Sequence, residues 1–215
     1  MKFIHNILVL MLLSLACSTI SCSGTKEQET LNSAEMLMES HPDSALIILS
    51  TIDKEQLSDK SQKAKYALLM SMALDKNYID TTSFDVLQPA IDYYLENGTP
   101  DEKLKTYYYQ GVIFLNKGER DNALDSFAKG IHISKECKGS LTTARLLVAE
   151  GGLYNELYEF DSYVRLYLEA ADIYKHLSIK DSEFDCLLNA LNGSILLEKK
   201  HQCDSILNLL TKFNS

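Results

Sequence analysis

The sequence predicts an all-α fold built as a stack of helical hairpins, and three observations predict it. With only 9 Gly and 3 Pro in 215 residues, there are too few turn-formers for the many tight turns of an all-β sandwich. Apolar residues recur at helical spacing in consecutive segments, separated by brief polar breaks, from about Leu31 to the last residue. A six-position pattern running from Tyr107 to Gly130 then recurs, with its internal spacing kept, from Leu147 to Ala170. The composition, 46% apolar and 24% charged, excludes a disordered tail or a collagen-like chain. A mass of 24.2 kDa suits one domain or a short repeat array.

The first element is a targeting segment. Lys2 gives a positive start, and Ile7 to Leu15 form an apolar run broken only by Ser14. The run is shorter than the ~18 residues that a spanning helix needs. It ends in Ala16-Cys17-Ser18-Thr19-Ile20-Ser21-Cys22, which resembles the signal of bacterial lipoproteins. Cys22 follows a polar stretch and is the preferred site; Cys17, after Ser14-Leu15-Ala16, is the alternative. Neither has the Leu three residues earlier that the motif favours. The resemblance implies acylation of that cysteine after removal of residues 1–21, and an envelope protein anchored to the outer membrane of a Gram-negative bacterium. An ordinary secretory signal is the competing reading. Residues 22–30 read as a polar tether and 31–215 as the helical array.

Within the array, Ala45, Leu49 and Ile52 form the second helix of a first hairpin that begins near Leu31. Ala67, Ser71 and Leu74 pair with Leu87 and Ala90 in the next. The clearest hairpin joins 104–117 to 120–135 through Gly118-Glu119, with Pro100 and Asp101 where a helix start uses them. It carries Tyr107, Gly111 and Phe114, then Ala123, Phe127 and Gly130. The following hairpin repeats the positions as Leu147, Gly151 and Tyr154, then Tyr163, Tyr167 and Ala170. A last set, Leu187, Leu191 and Ser194 with Cys203, Leu207 and Leu210, keeps polarity but not residue type. A small residue lets two helices approach closely, and aromatics fill the wedge beside it.

This pattern resembles the tetratricopeptide repeat (TPR), best over 104–137 and 144–177. The step from Gly111 to Gly151 is a period of about 40 residues against about 34 for TPR, so roughly six extra residues fall in the connections. The resemblance implies a right-handed superhelical stack of about five hairpins whose concave face binds a protein or peptide. It also implies a polar capping helix, which the sequence lacks after Leu209-Leu210-Thr211-Lys212-Phe213. A partner, a second copy or further chain is expected to cover that end.

Charge narrows the partners. Without residues 1–21 the chain has 20 basic against 30 acidic residues, and it holds no basic block, so nucleic acid is not expected to bind. Cys137, Cys186 and Cys203 are an odd number at spacings that match no metal pattern. Buried thiols are expected, with a Cys186–Cys203 bridge as the alternative. There is no phosphate loop, nucleophile elbow or H-E-x-x-H, and Glu198-Lys199-Lys200-His201 is a lone E-x-x-H. No enzyme, cofactor or metal site is expected.

The binding surface is expected on the first helix of each hairpin. Two positions before the large residue, the register places Lys65, Lys105 and Arg145, then Asp185. Such a row of cations could meet carboxylates of a partner, or could simply keep the surface soluble. The next row is Leu68, Tyr108, Val148 and Leu188, with Tyr108 as an exposed anchor and Asn116 and Asn155 as hydrogen-bonding groups. These residues do not reproduce the carboxylate clamp of chaperone-binding TPR domains. Alternative roles are the sensory half of a TPR-containing, membrane-linked transcriptional regulator, or a glycan-binding or outer-membrane assembly lipoprotein. Asp43-Ser44-Ala45, Asp80-Thr81-Thr82 and Asp204-Ser205-Ile206 resemble an envelope O-glycosylation sequon; helix capping is the preferred reading.

Overall fold

The computed structural model describes residues 26–214 except Ser58 and Lys138. The signal segment and both candidate lipidation sites, Cys17 and Cys22, lie outside the described residues. Ten α-helices are described: α1 (26–37), α2 (Pro42–Ser50), α3 (Lys60–Lys76), α4 (Gln88–Asn97), α5 (Pro100–Asn116), α6 (Arg120–Ser134), α7 (Leu141–Glu156), α8 (Phe160–His176), α9 (Lys180–Leu196) and α10 (Lys200–Leu210). The all-α expectation holds, and consecutive helices pack antiparallel within each of two compact units. Residues 26–30, read from sequence as part of a tether, are already helical, and Glu27 is buried.

The chain divides within α4 into two compact units, one ending at Tyr93 and the other spanning Tyr94–Ser215. In the N-terminal unit α2 packs on α3. Two ion pairs tie α1 and its exit to α3, Lys65–Glu35 at 2.5 Å and Lys76–Glu39 at 2.8 Å. Asn77 closes α3 by donating to the carbonyls of Ala73 and Pro42. The core comes from Leu31, Ala34 and Met38, from Ala45 and Leu49, and from the apolar face of α3.

In the C-terminal unit each helix packs on the next, and α5 also touches α7. Two clusters form its core. Leu104, Ala123, Phe127, Leu146 and Leu153 join α5, α6 and α7. Ala144, Leu147, Tyr163, Tyr167, Cys186, Ile206 and others join α7 to α10. Helix α7 feeds both clusters from adjacent positions, so it couples the two hairpins.

One turn geometry recurs. Gly118, Tyr158, Ser178 and Glu198 follow α5, α7, α8 and α9, all with φ between +55° and +77°. In each turn this residue donates to the carbonyl three residues back, and the next donates to the carbonyl five back, as in Glu119→Phe114 and Glu159→Tyr154 at 2.9 Å. This is the Schellman arrangement, and the second donor is also the N-cap of the next helix. Tyr78, after α3, has the same geometry with φ +58°. Left-handed backbone costs a non-glycine residue about 1 kcal/mol; the recovered carbonyl bonds offset it. Helices α3, α5 and α7 instead begin with side-chain caps, from Asp59, Thr99 and Ser140, which follow one another at nearly the same interval as the sequence repeat. Thr99 and Glu102 form a full capping box.

The sequons take other positions than the expected caps. Ser44 lies inside the first turn of α2, Ser205 lies inside α10 and donates to the His201 carbonyl, and Thr81 lies in the connection between α3 and α4. None caps a helix, because the N-caps of α2 and α10 are His41 and Lys199.

Close approach is set by glycine. A Cβ on Gly111 would penetrate the Phe127 ring, and one on Gly151 would lie 2.8 Å from the Tyr167 ring. These two contacts occupy equivalent positions in successive hairpins, which gives the sequence repeat its physical content. Gly193 lets α9 approach Val164 and Tyr163 of α8 in the same way. At the C-terminal end a short 3-10 turn, Thr211–Asn214, brings Phe213 against Phe184 of α9 with ring centroids 5.4 Å apart. That turn covers part of the face expected to need a capping helix.

The glycine contacts predict a pair of opposite effects. Gly151→Ala should lose about 1–3 kcal/mol by overpacking against Tyr167. Gly152→Ala, whose Cβ meets nothing within 4 Å, should gain about 0.5–1 kcal/mol from helix propensity. Urea unfolding followed by far-UV circular dichroism measures both, and equal signs would refute the packing account.

Candidate functional site

The first helices α5 and α7 carry the expected binding residues, and their side chains are more engaged than a bare cation row. Lys105 pairs with Asp101 one turn earlier at 2.6 Å. Lys65, in the N-terminal unit, pairs with Glu35 and donates to Asn32 Oδ1 at 2.8 Å. Arg145 is half-buried and close enough to Tyr174 to oppose the rise that burial imposes on its hydroxyl. Exposed ion pairs are worth only about 0–1 kcal/mol, so a partner carboxylate can compete for Lys105 at little cost.

Tyr108 corrects an expectation: it is half-buried rather than an exposed anchor. Its ring meets Tyr109 edge-on at 4.9 Å and lies 6.3 Å from Phe127. The cause is the width of the core stripe on α5: Tyr109 enters it fully, and Tyr108, one residue around the helix, closes its edge. Asn116 and Asn155 are exposed at the ends of α5 and α7, beside the turn residues Gly118 and Tyr158. The packing residues all lie in or against the core or at its close contacts. Ala123, Phe127, Leu147, Tyr163, Tyr167 and Ala170 are buried, and Phe114 and Tyr154 pack against the clusters. Gly111, Gly130 and Gly151 admit Phe127, Leu146 and Tyr167, and the Tyr107 Cβ sits over Gly130.

Helix α7 also holds a group that sequence reasoning missed. Glu150 is 8% exposed, and its Oε2 has no hydrogen-bond partner. Burial raises the pKa of its carboxyl, Arg165 of α8 and the Tyr154 hydroxyl oppose that rise, and Glu169 adds to it. The signal was present in the spacing: Thr143, Leu146, Leu147, Leu153 and Tyr154 mark an inward stripe, and Glu150 sits in its middle. Cys186 is buried in the same unit, with its thiol pushed up to about 12 by burial. Cys137, Cys186 and Cys203 are all free.

In the N-terminal unit a cleft of about 190 Å³ opens between residues 54–57, α3 and the start of α4. Lys54 lies over the Tyr66 ring, 5.5 Å from its centroid. Lys54 and Lys63 are balanced there by Glu55 and Asp85, so the cleft selects no charge. Among the described residues no cluster of His, Cys, Asp or Glu could hold a metal ion. No described helix is long and apolar enough to cross a membrane. No protein-family model matches the chain, and no curated protein matches it.

The raised Glu150 pKa predicts a pH-dependent difference. The neutral carboxyl's advantage is complete below the unfolded-state value and is lost as pH rises through the higher folded-state value. Glu150→Gln, neutral at every pH, should therefore gain about 1 kcal/mol over the parent at neutral pH. The gain should vanish at acid pH, below the ordinary carboxylate range. Unfolding free energies of the two proteins across that pH range test this; a constant offset would refute it.

Proposed function

We propose that this chain is an exported, lipid-anchored, TPR-like scaffold that has no chemistry of its own and binds a protein or peptide partner across α5 and α7. The observation that carries the reading is the pair of equivalent contacts, Gly111–Phe127 and Gly151–Tyr167, together with direct packing of α5 on α7. Repeated hairpins whose first helices touch offer a continuous surface rather than an enclosed pocket. On that surface Lys105 and Arg145 occupy equivalent positions of successive repeats in an acidic protein. They suit carboxylates on the partner, and Asn116 and Asn155 suit its backbone.

The decisive experiment is affinity capture from detergent-solubilised membranes, comparing the parent with Lys105→Glu/Arg145→Glu. The double variant should recover the partner at least about tenfold less well, with helicity and melting unchanged. Equal recovery would retire the surface. The anchor has its own test: intact mass should show an acylated N-terminus at Cys22, and an unmodified start after Gly24 would refute lipidation.

A further inference from the structure

Helix α9 exposes a stripe that its neighbours do not. Leu188, Ile195 and Leu196 are 38%, 57% and 59% exposed, and Asn192 is exposed at their centre. The spacing Asp185, Leu188, Asn192, Ile195, Lys199 alternates three and four residues, the seam of a two-helix contact. At the equivalent position of α7, Val148 packs into the cluster that runs on to α9 and α10. On α9 Phe213 lies against Phe184, one turn before Leu188. Of the other equivalent α7 positions, a Cβ on Gly152 would meet nothing and Asn155 and Glu156 are exposed, so α9 carries apolar Ile195 and Leu196 in water where α7 carries polar residues.

We propose that a second copy of this chain docks there, with α9 antiparallel to α9 about a twofold axis at Asn192. Charge complementarity selects this occupant and orientation. Residues equidistant from Asn192 become opposite: Leu188 meets Leu196, and Asp185 meets Lys199. Asp185 makes no ion pair among the described residues, and Lys199, held only by Asp161, keeps a side chain 47% exposed. A parallel arrangement would set Asp185 against Asp185. Antiparallel packing places the two Asn192 amides together, where each satisfies the other and fixes the register, as a single polar seam residue does in coiled coils. Such a contact is isologous and closed, limiting assembly to a dimer. Its seam takes Asp185 and Leu188, the next positions of the rows that hold Arg145 and Val148, but none of the residues assigned to the partner surface, so its variants are separable from Lys105→Glu/Arg145→Glu.

The test is oxidative cross-linking of the full chain carrying Asn192→Cys, because a residue on the twofold axis meets its own copy within disulfide reach. A linked homodimer should form at least about tenfold more than in the parent, or in Asp172→Cys, an exposed site on α8. Adding Ile195→Asp or Asp185→Lys should cut the yield by a similar factor, while circular dichroism and melting stay unchanged. Yields no higher than in Asp172→Cys, cross-linking that ignores Ile195→Asp, or an adduct to a different protein would each overturn the proposal.

Discussion

The C-terminal unit rests on one steric constraint, the replacement of a side chain on one helix by an aromatic ring from the next. At Gly111 and again at Gly151 the missing Cβ leaves a hollow that Phe127 or Tyr167 fills. The ring gains buried area, and the two backbones come close enough for neighbouring Leu, Ala and Tyr side chains to pack without voids. Restoring a methyl group forces the ring out, and the ring also abuts Leu and Ala side chains of the same cluster. The whole stack then has to respond, because α7 belongs to both clusters.

The connections follow from the same economy of space. Helices in contact along their whole length leave room for only a very short link between them. The Schellman turn spans that distance, recovers two orphan carbonyls, and hands its last N–H-bearing residue to the next helix as N-cap. Helices α8 and α9 are equal in length, and the left-handed residues at positions 158, 178 and 198 are evenly spaced. From α7 onward the chain is therefore a run of helix-plus-turn modules of one length, whereas α6 is joined to α7 through the Ser140 side-chain cap. From α7 onward the turn within a hairpin and the turn between hairpins have the same form.

What could be read beforehand was what depended on local spacing. Gly111 and Phe127 lie on adjacent helices across a short turn, so their pairing is visible in the sequence. Thr99, Pro100 and Glu102 announce a helix start through residue types alone. Illegible features needed information that no residue type carries. Tyr158, Ser178 and Glu198 adopt a backbone that glycine normally signals. Three adjacent tyrosines differ only by successive rotations around the helix, so whether Tyr108 or Tyr109 is buried depends on the neighbouring helix. Asp101 and Glu35 neutralise the cations at Lys105 and Lys65, a pairing that counting charges cannot reveal. Phe213 was legible as apolar but not as a cover for Phe184, because nothing local says where a terminal turn folds.

The last hairpin departs from the rule, and its departure shapes the surface of the molecule. At the positions of Gly151 and Tyr167 it carries Leu191 and Leu207. Two leucines cannot nest as a glycine and an aromatic ring do, and Leu207 stays 47% exposed. Helix α9 finds its close contact on the other side, where Gly193 receives Val164 and Tyr163 and where Tyr163 donates to Asn189 Oδ1 at 3.0 Å. It packs more extensively on α8 than on α10. A helix drawn toward the preceding hairpin turns its far side outward. Leu188, whose equivalent Val148 is covered in the preceding hairpin, then remains in water with Ile195, at roughly 25 cal/mol for each Å² of apolar surface left uncovered.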